Sequence, residues 1–173
     1  MKVTLFMAIS VNGIIAREDG SEDFLSEENW QTFSGLVKEF GNFIVGSRTY
    51  EAVKQWDEGY GFDDFPEVQR VVISDSPSYE LDAGYTLATS PQDAIRHLQK
   101  AGFERALLTG GATNNSSFAK ANLIDEVILN VEPVIVGEGI PLFHPAAFDL
   151  PLELVETKPI GAGVVQLRYN VRK

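Results

Sequence analysis

Apolar and polar positions alternate along the chain in blocks that switch between strand-like and helix-like spacing. "VTLFMAISV" (residues 3–11) is a β-branched apolar run of strand length, which reads as a strand covered on both faces. Asn12-Gly13 marks a tight turn, and residues 14–16 form a short return segment. Beyond a polar loop at 17–23, Trp30, Phe33, Leu36, Val37 and Phe40 recur at the spacing of a helix's buried side. Ser26 stands at the N-cap, Glu27 and Glu28 suit the first-turn dipole, and Gly41 ends the helix.

The alternation continues with a strand at 42–45 and a short helix to about residue 55. Strands follow at 70–74 and within 81–88, then a Ser90-capped helix to about 101 with Ala94, Ile95, Leu98 and Ala101 on one face. A strand at 105–110, a helix at roughly 114–121 and a β-rich remainder from residue 123 complete the pattern. "LPLELVETKPI" and "GVVQLRYNVRK" form the closing hairpin. Strands alternating with helices predict an α/β fold: a three-layer α/β/α sandwich with a mostly parallel central sheet and an antiparallel C-terminal hairpin. At 173 residues, one domain spanning 1–173 is expected.

In such sheets, ligands bind beyond the carboxyl ends of the strands. "FIVGSRT", "VVISDS" and "LLTGGAT" are three strands that end alike, in glycine or small hydroxyl residues. Gly110 and Gly111 admit two readings, a tight turn or a backbone cradle for a phosphate. At residues 46–49, Ser47 and Thr49 offer hydroxyls and Arg48 a fork suited to phosphate. The plainer alternative makes Ser47 a helix cap and Arg48 a solvated side chain.

Composition narrows the partners. A net charge of −11 disfavours nucleic acid and anionic membranes. A small phosphate-bearing ligand can still bind through local backbone dipoles. The chain has no cysteine, which excludes disulfides and thiolate metal sites. His97 and His144 lie far apart in the sequence without carboxylates at ligand spacing, so no metal site is expected. No apolar run approaches the ~18 residues of a membrane span, and the opening run does not resemble a signal peptide. A soluble cytoplasmic protein is expected. The acidic, aromatic stretch 57–67 reads as a solvated lid near a substrate mouth.

Several stretches together resemble the dihydrofolate reductase superfamily. The branch most resembled includes the C-terminal reductase domain of the bifunctional riboflavin-biosynthesis deaminase/reductase. That branch reads Ser-Leu-Asp-Gly-x-Ile-Ala, then Asp-Trp after a loop. Here Ser10-Val11-Asn12-Gly13-Ile14-Ile15-Ala16 and Asp23-Phe24 hold those places. "GSRTYE" (46–51) resembles the family's Gly-Arg-x-Thr-Tyr-Glu, with Ser47 inserted before the arginine. "LLTGGATNNSSFAKANLIDEVILNVEPVIVGEGIPLF" resembles its Gly-Gly, Asp-Glu and Gly-x-Gly block.

The resemblance implies an NADPH-dependent oxidoreductase, with NADH the alternative cofactor. It would pass a hydride to the carbon of a C=N or C=O bond in a small pterin- or pyrimidine-like substrate. By position, Ala8 and Ile15 would meet the nicotinamide end. The Gly46 backbone with Ser47, Arg48 and Thr49 would hold phosphates, and Ser74 would lie near the adenosine ribose. Gly110, Gly111, Ala112 and Thr113 would cradle the pyrophosphate. Asp23 is the first candidate to orient a substrate amine or hydroxyl, unless it is an ordinary loop carboxylate. Phe24 and Tyr50 would stack on a planar ring or fill core. A homodimer is implied by the same branch. A nucleotide-binding regulatory module without turnover is the alternative function.

Overall fold

The computed structural model describes residues 1–57 and 59–173. Its elements in chain order are β1 (Lys2–Ser10), β2 (Ile14–Ala16), α1 (Glu27–Phe40), β3 (Asn42–Gly46), α2 (Ser47–Val53), β4 (Gln69–Ile73) and β5 (Tyr85–Ala88). There follow α3 (Pro91–Lys100), β6 (Arg105–Leu108), α4 (Ala112–Lys120), β7 (Glu126–Glu132), β8 (Ile140–Pro141), β9 (Leu152–Gly161) and β10 (Val164–Val171). Eight strands form one sheet in the order β5-β4-β3-β6-β1-β7-β10-β9, while β2 and β8 pair separately. β1 lies parallel to β6 and β7, β3 to β4 and β6, and β4 to β5. Within the eight-stranded sheet, β10 runs antiparallel to β7 and β9.

Two apolar cores explain why the predicted strands read as continuous apolar runs. Successive side chains of a strand point to opposite faces. On β1, Val3, Leu5, Met7 and Ile9 pack on the face covered by α3 and α4 with Leu98 and Phe118. Phe6 points the other way, to the face covered by α1 and α2 with Phe33, Val37 and Tyr50. β3, β4 and β6 divide likewise, Ile44, Val71 and Leu108 on one side and Val45, Val72 and Leu107 on the other. The layers are helix, sheet, helix, as the alternation predicts.

The structure differs from expectation at element ends. Gly41 closes α1 in the left-handed conformation (φ 68°), donating its N–H to Val37. Ser26 takes the N-cap place, but its side chain caps nothing. Its N–H and hydroxyl both donate to the buried Glu132 carboxylate, at 3.0 and 2.8 Å. A carboxylate from β7 thus takes the anionic place at the helix start. α4 begins two residues earlier than the pattern predicts, because Gly111 is extended and Ala112 is already helical. Among the described residues, no helix is long and apolar enough to cross a membrane.

Phe33 lies at the centre of the α1-side core. Its ring centroid is 5.3 to 6.4 Å from those of Phe6, Trp30, Phe43, Phe62 and Phe65. Phe33→Ala is expected to cost about 3–5 kcal/mol. The check is a lowered denaturant midpoint at unchanged slope.

Candidate active site

β1, β3, β4 and β6 are mutually parallel, so their carboxyl ends meet on one edge of the sheet. β3 and β6 are neighbours, yet the helices that follow them cover opposite faces. α2 packs with the α1-side core and α4 with the other. Such a divergence opens a crevice at the strand ends. The two exits are stitched together across it. Gly46 N–H donates to the Gly110 carbonyl at 2.9 Å, and Thr109 N–H donates to Ile44 at 2.9 Å.

The glycines there meet steric demands. A Cβ on Gly110, whose φ is +91°, would lie 2.8 Å from Met7 Sδ. One on Gly111 would lie 2.8 Å from Thr49 Oγ1, and one on Gly46 would lie 3.1 Å from Asn114 Nδ2. The Gly110-Gly111 peptide is cis. Gly46 and Gly111 are the N-cap residues of α2 and α4, and neither helix has a side-chain cap. α3 differs: the Ser90 hydroxyl accepts from Asp93 N–H at 3.1 Å. The first-turn amides of α2 and α4 have no intrahelical partners. Gly46, not Ser47, holds the cap position of α2, so Ser47 is not the cap that the plainer reading assumed.

Arg48 is exposed in the first turn of α2 and forms no ion pair among the described residues. Ser74, at the end of β4, is buried; its N–H donates to Ala88, and its hydroxyl accepts from Ser76 N–H at 3.2 Å. Asp75 beside it is exposed.

Below the crevice a hollow is walled by Ala8, Ile15, Thr49 and Thr109, with Phe33 and Trp56 opposite. It adjoins an outer cavity of about 510 Å³ between residues 21–30 on one side and Gln55, Trp56, Asp57 and Tyr60 on the other. Glu22, Leu25, Asn29, Trp30 and Trp56 border both. Ionisable walls of the outer cavity are Glu22, Asp23, Glu27, Asp57 and Tyr60, with no basic side chain among them. Tyr60 donates its hydroxyl to Glu27 at 2.8 Å.

The structure brings Ala8, Ile15 and Thr49 to the hollow and leaves other candidates outside it. Asp23 is an exposed wall of the outer cavity and binds the Arg17 guanidinium. Phe24 borders neither space; Arg17 sits over its ring at 5.9 Å. Tyr50 is buried in the α1-side core, donates to Asp82 at 2.6 Å and meets Tyr85 edge-on. Its core-filling alternative is the one the fold takes.

The acidic stretch is no free lid. Phe62 and Phe65 are buried in the core, and Asp63 accepts from Arg70 and from the Tyr85 hydroxyl, each at 2.9 Å. Aromatic residues at 62 and 65 anchor it from below, while Asp57 and Tyr60 border the cavity. Glu58, within that expected lid, lies outside the described residues. Among the described residues, no three His, Cys, Asp or Glu side chains could hold a metal ion.

Residue-by-residue reading missed Glu22. It lies in a loop without periodicity and next to the more familiar Asp23. The residue is half-buried, and desolvation pushes its carboxyl from the ordinary 4.5 up to about 8. Asn29 was also missed, since its place on α1 looks polar and solvated. It accepts from Asn130 at 3.0 Å and faces the hollow.

Known proteins share the family and the fold of this chain. The model of the RibD C-terminal domain matches residues 1–166. The Bacillus subtilis (strain 168) protein YwjB is 34% identical over 172 residues, covering 97% of each chain. The solved structure of a pyrimidine reductase-like protein from Corynebacterium diphtheriae superposes with a TM-score of 0.79 at 14% identity, over 99% of this chain and 92% of that one. A dihydrofolate reductase from Enterococcus faecalis, solved with NADP(H), gives a TM-score of 0.74 at 16% identity, over 99% and 97%. At those identities the two structures show a shared fold.

The Glu22 environment makes stability depend on pH. The folded protein keeps the Glu22 proton up to about pH 8, whereas an unfolded chain releases it near 4.5. The folded state therefore binds more protons in that window, and this contribution to stability is lost as pH rises through the folded value. Glu22→Gln should match the wild type in acid and grow relatively more stable from about pH 5 to about pH 8. Denaturant melts across that range check the sign.

Proposed function

The chain belongs to the RibD C-terminal domain family, and from that membership we propose that it is an NADPH-dependent reductase of a small heterocyclic substrate, with NADH the alternative reductant. The observation that carries the reading is the pairing of two glycine-capped helix starts with an apolar hollow beside them. Open first-turn amides suit the charged centre of a dinucleotide, and the hollow suits its flat nicotinamide end. When bound, reduced nicotinamide supplies a hydride.

The chain's own residues do the rest. Amides at Ser47, Arg48, Ala112 and Thr113 hold phosphates, with Gly46, Gly110 and Gly111 leaving room for close approach. Thr49 supplies a hydroxyl beside them. Ala8 and Ile15 form an apolar seat for the ring. Ser74 lies toward the adenosine ribose, where Arg48 favours a 2′-phosphate and Asp75 opposes one. Trp30, Trp56 and Phe33 wall the hollow and keep water from the reacting carbons.

The substrate enters through the carboxyl-lined cavity. Phosphate would be repelled there, so a pterin- or pyrimidine-like ring without phosphate fits better than a phosphoribosylamino compound. Asp23 sits at the rim, where it can meet a substrate amine only by giving up Arg17. We further propose a homodimer. Leu152, Leu154 and Val155 of β9 and Val165 of β10 are exposed on the edge hairpin, and a second copy would cover them. Light scattering on the purified protein decides it.

NADPH binding followed by fluorescence, and loss of absorbance at ~340 nm with dihydrofolate, dihydropterin and pyrimidine probes, test the enzyme reading. Binding without turnover favours the regulatory-module alternative; no binding of either nucleotide removes both. Arg48→Ala should weaken NADPH binding about tenfold and leave NADH nearly unchanged, since a charged hydrogen bond contributes about 1.5–3 kcal/mol.

A further inference from the structure

Among the described residues, Glu22 is the one ionisable side chain that borders both the inner hollow and the outer cavity. The hollow it borders is mainly apolar, with Ala8, Ile15, Trp30 and Phe33 among its walls and Asn29, Thr49 and Thr109 as uncharged polar members. No hydrogen bond or ion pair engages its carboxyl among the described residues, and desolvation is the sole cause of its raised pKa. The charged groups facing it are themselves engaged or acidic. Asp23 binds Arg17 on the same loop, Glu27 of α1 accepts from Tyr60, and Asp57 faces in from the opposite wall. The basic group nearest in sequence is therefore already committed to Asp23.

We propose that Glu22 is the general acid of this reductase, giving its proton to the nitrogen of a substrate C=N bond. The proposal rests on the reductase reading above. Reduced nicotinamide, if bound, would supply the hydride to the carbon, with the π pair going to the nitrogen. That nitrogen takes the carboxyl proton, leaving Glu22 as a carboxylate and the nicotinamide oxidised. Water in the outer cavity then returns a proton to Glu22, so each turnover consumes one hydride and one proton. A neutral carboxyl suits the apolar hollow before the step. A nitrogen base is the class of acceptor it can serve, since a carboxyl of this acidity protonates an imine nitrogen far more readily than a carbonyl oxygen.

The test uses the full chain with NADPH and 7,8-dihydrobiopterin or dihydrofolate as probe. Glu22→Gln keeps the shape and one donor but has no acidic proton to release. Its kcat should fall about 100-fold or more, with NADPH affinity and substrate KM changed less than about threefold. Wild-type kcat should fall as pH rises past about 8, and the variant should lose that limb. Carbon-13 labelling of the glutamate carboxyls gives a readout independent of turnover. The resonance missing from Glu22→Gln should titrate near pH 8 in the wild type. A midpoint in the ordinary carboxylate range overturns the assignment; if the variant fails to fold, the absence of any glutamate carboxyl titrating near pH 8 in the wild type overturns it instead. Turnover that survives Glu22→Gln with its alkaline limb intact overturns it as well, leaving the reductase reading standing. Failure of the wild type to bind either nucleotide overturns both.

Discussion

The junction between β3 and β6 is the constraint on which the rest of the structure depends. These strands share one register pair, Ile44 with Leu108, yet they join two parts of the sheet. Buried Asn42 locks their beginnings. Its Nδ2 donates to Arg105 and Phe40 carbonyls at 2.9 and 3.0 Å, and its Oδ1 accepts from Leu107 N–H at 3.3 Å. Gly46 and Gly110 lock the far end by a backbone bond. Between those locks the chain sends one helix to each face. The crevice therefore follows from how this junction is closed, and the glycines there are needed for close packing. That packing does not conflict with the proposed phosphate cradle at Gly110 and Gly111.

Most of the fold was legible because its signals are local. A strand covered on both faces must be apolar throughout, and residues 3–11, 42–45, 70–74 and 105–110 are. Gly41 and Ser90 mark helix ends by chemistry that needs no tertiary partner. The site was legible where glycines and hydroxyls end strands. It was not legible where burial sets the role. Tyr50 reads as a family motif residue, but only the fold shows its hydroxyl turned to Asp82 in the core. Ser26 reads as a self-capping serine until Glu132, more than a hundred positions away in the chain, takes its hydroxyl. Glu22 looks like any loop acid; its apolar walls come from β1, β2, α1 and the segment around Trp56.

The acidic balance of the chain poses a problem for any dinucleotide, and the fold answers it by separating charges. Around the crevice the attractive groups are amides and Arg48, which act over short range. Glu22, Asp23, Glu27 and Asp57 face the cavity on the other side of the hollow. The apolar hollow stands between. On the reading proposed above, an anion would be held at one end, while the other end would discourage a second anion and accept neutral or basic rings. One site would gain opposite preferences at its two mouths without a net positive patch.

That separation works only if both ends keep a fixed spacing, and the segment after β7 provides the link. Ser116 and Asn115 of α4 bind it directly. Asn115 Nδ2 donates to Leu142 at 2.9 Å, and Ser116 Oγ accepts from His144 N–H at 2.9 Å. Leu142 N–H donates in turn to Gly13 at 3.0 Å, and β8 pairs with β2, which carries Ile15. Gly139 lets this strand pass so close to β2 that a Cβ would come 2.4 Å from the Ala16 carbonyl. Asn12 clamps the same region from β1's end, bonding both the N–H and the carbonyl of Val136. α4, whose start is proposed above to hold a phosphate, is therefore tied, through hydrogen bonds and a glycine contact, to the strand that carries Ile15 at the hollow. A ligand spanning the two meets a preset distance, which spares it the ordering cost that a flexible site would impose.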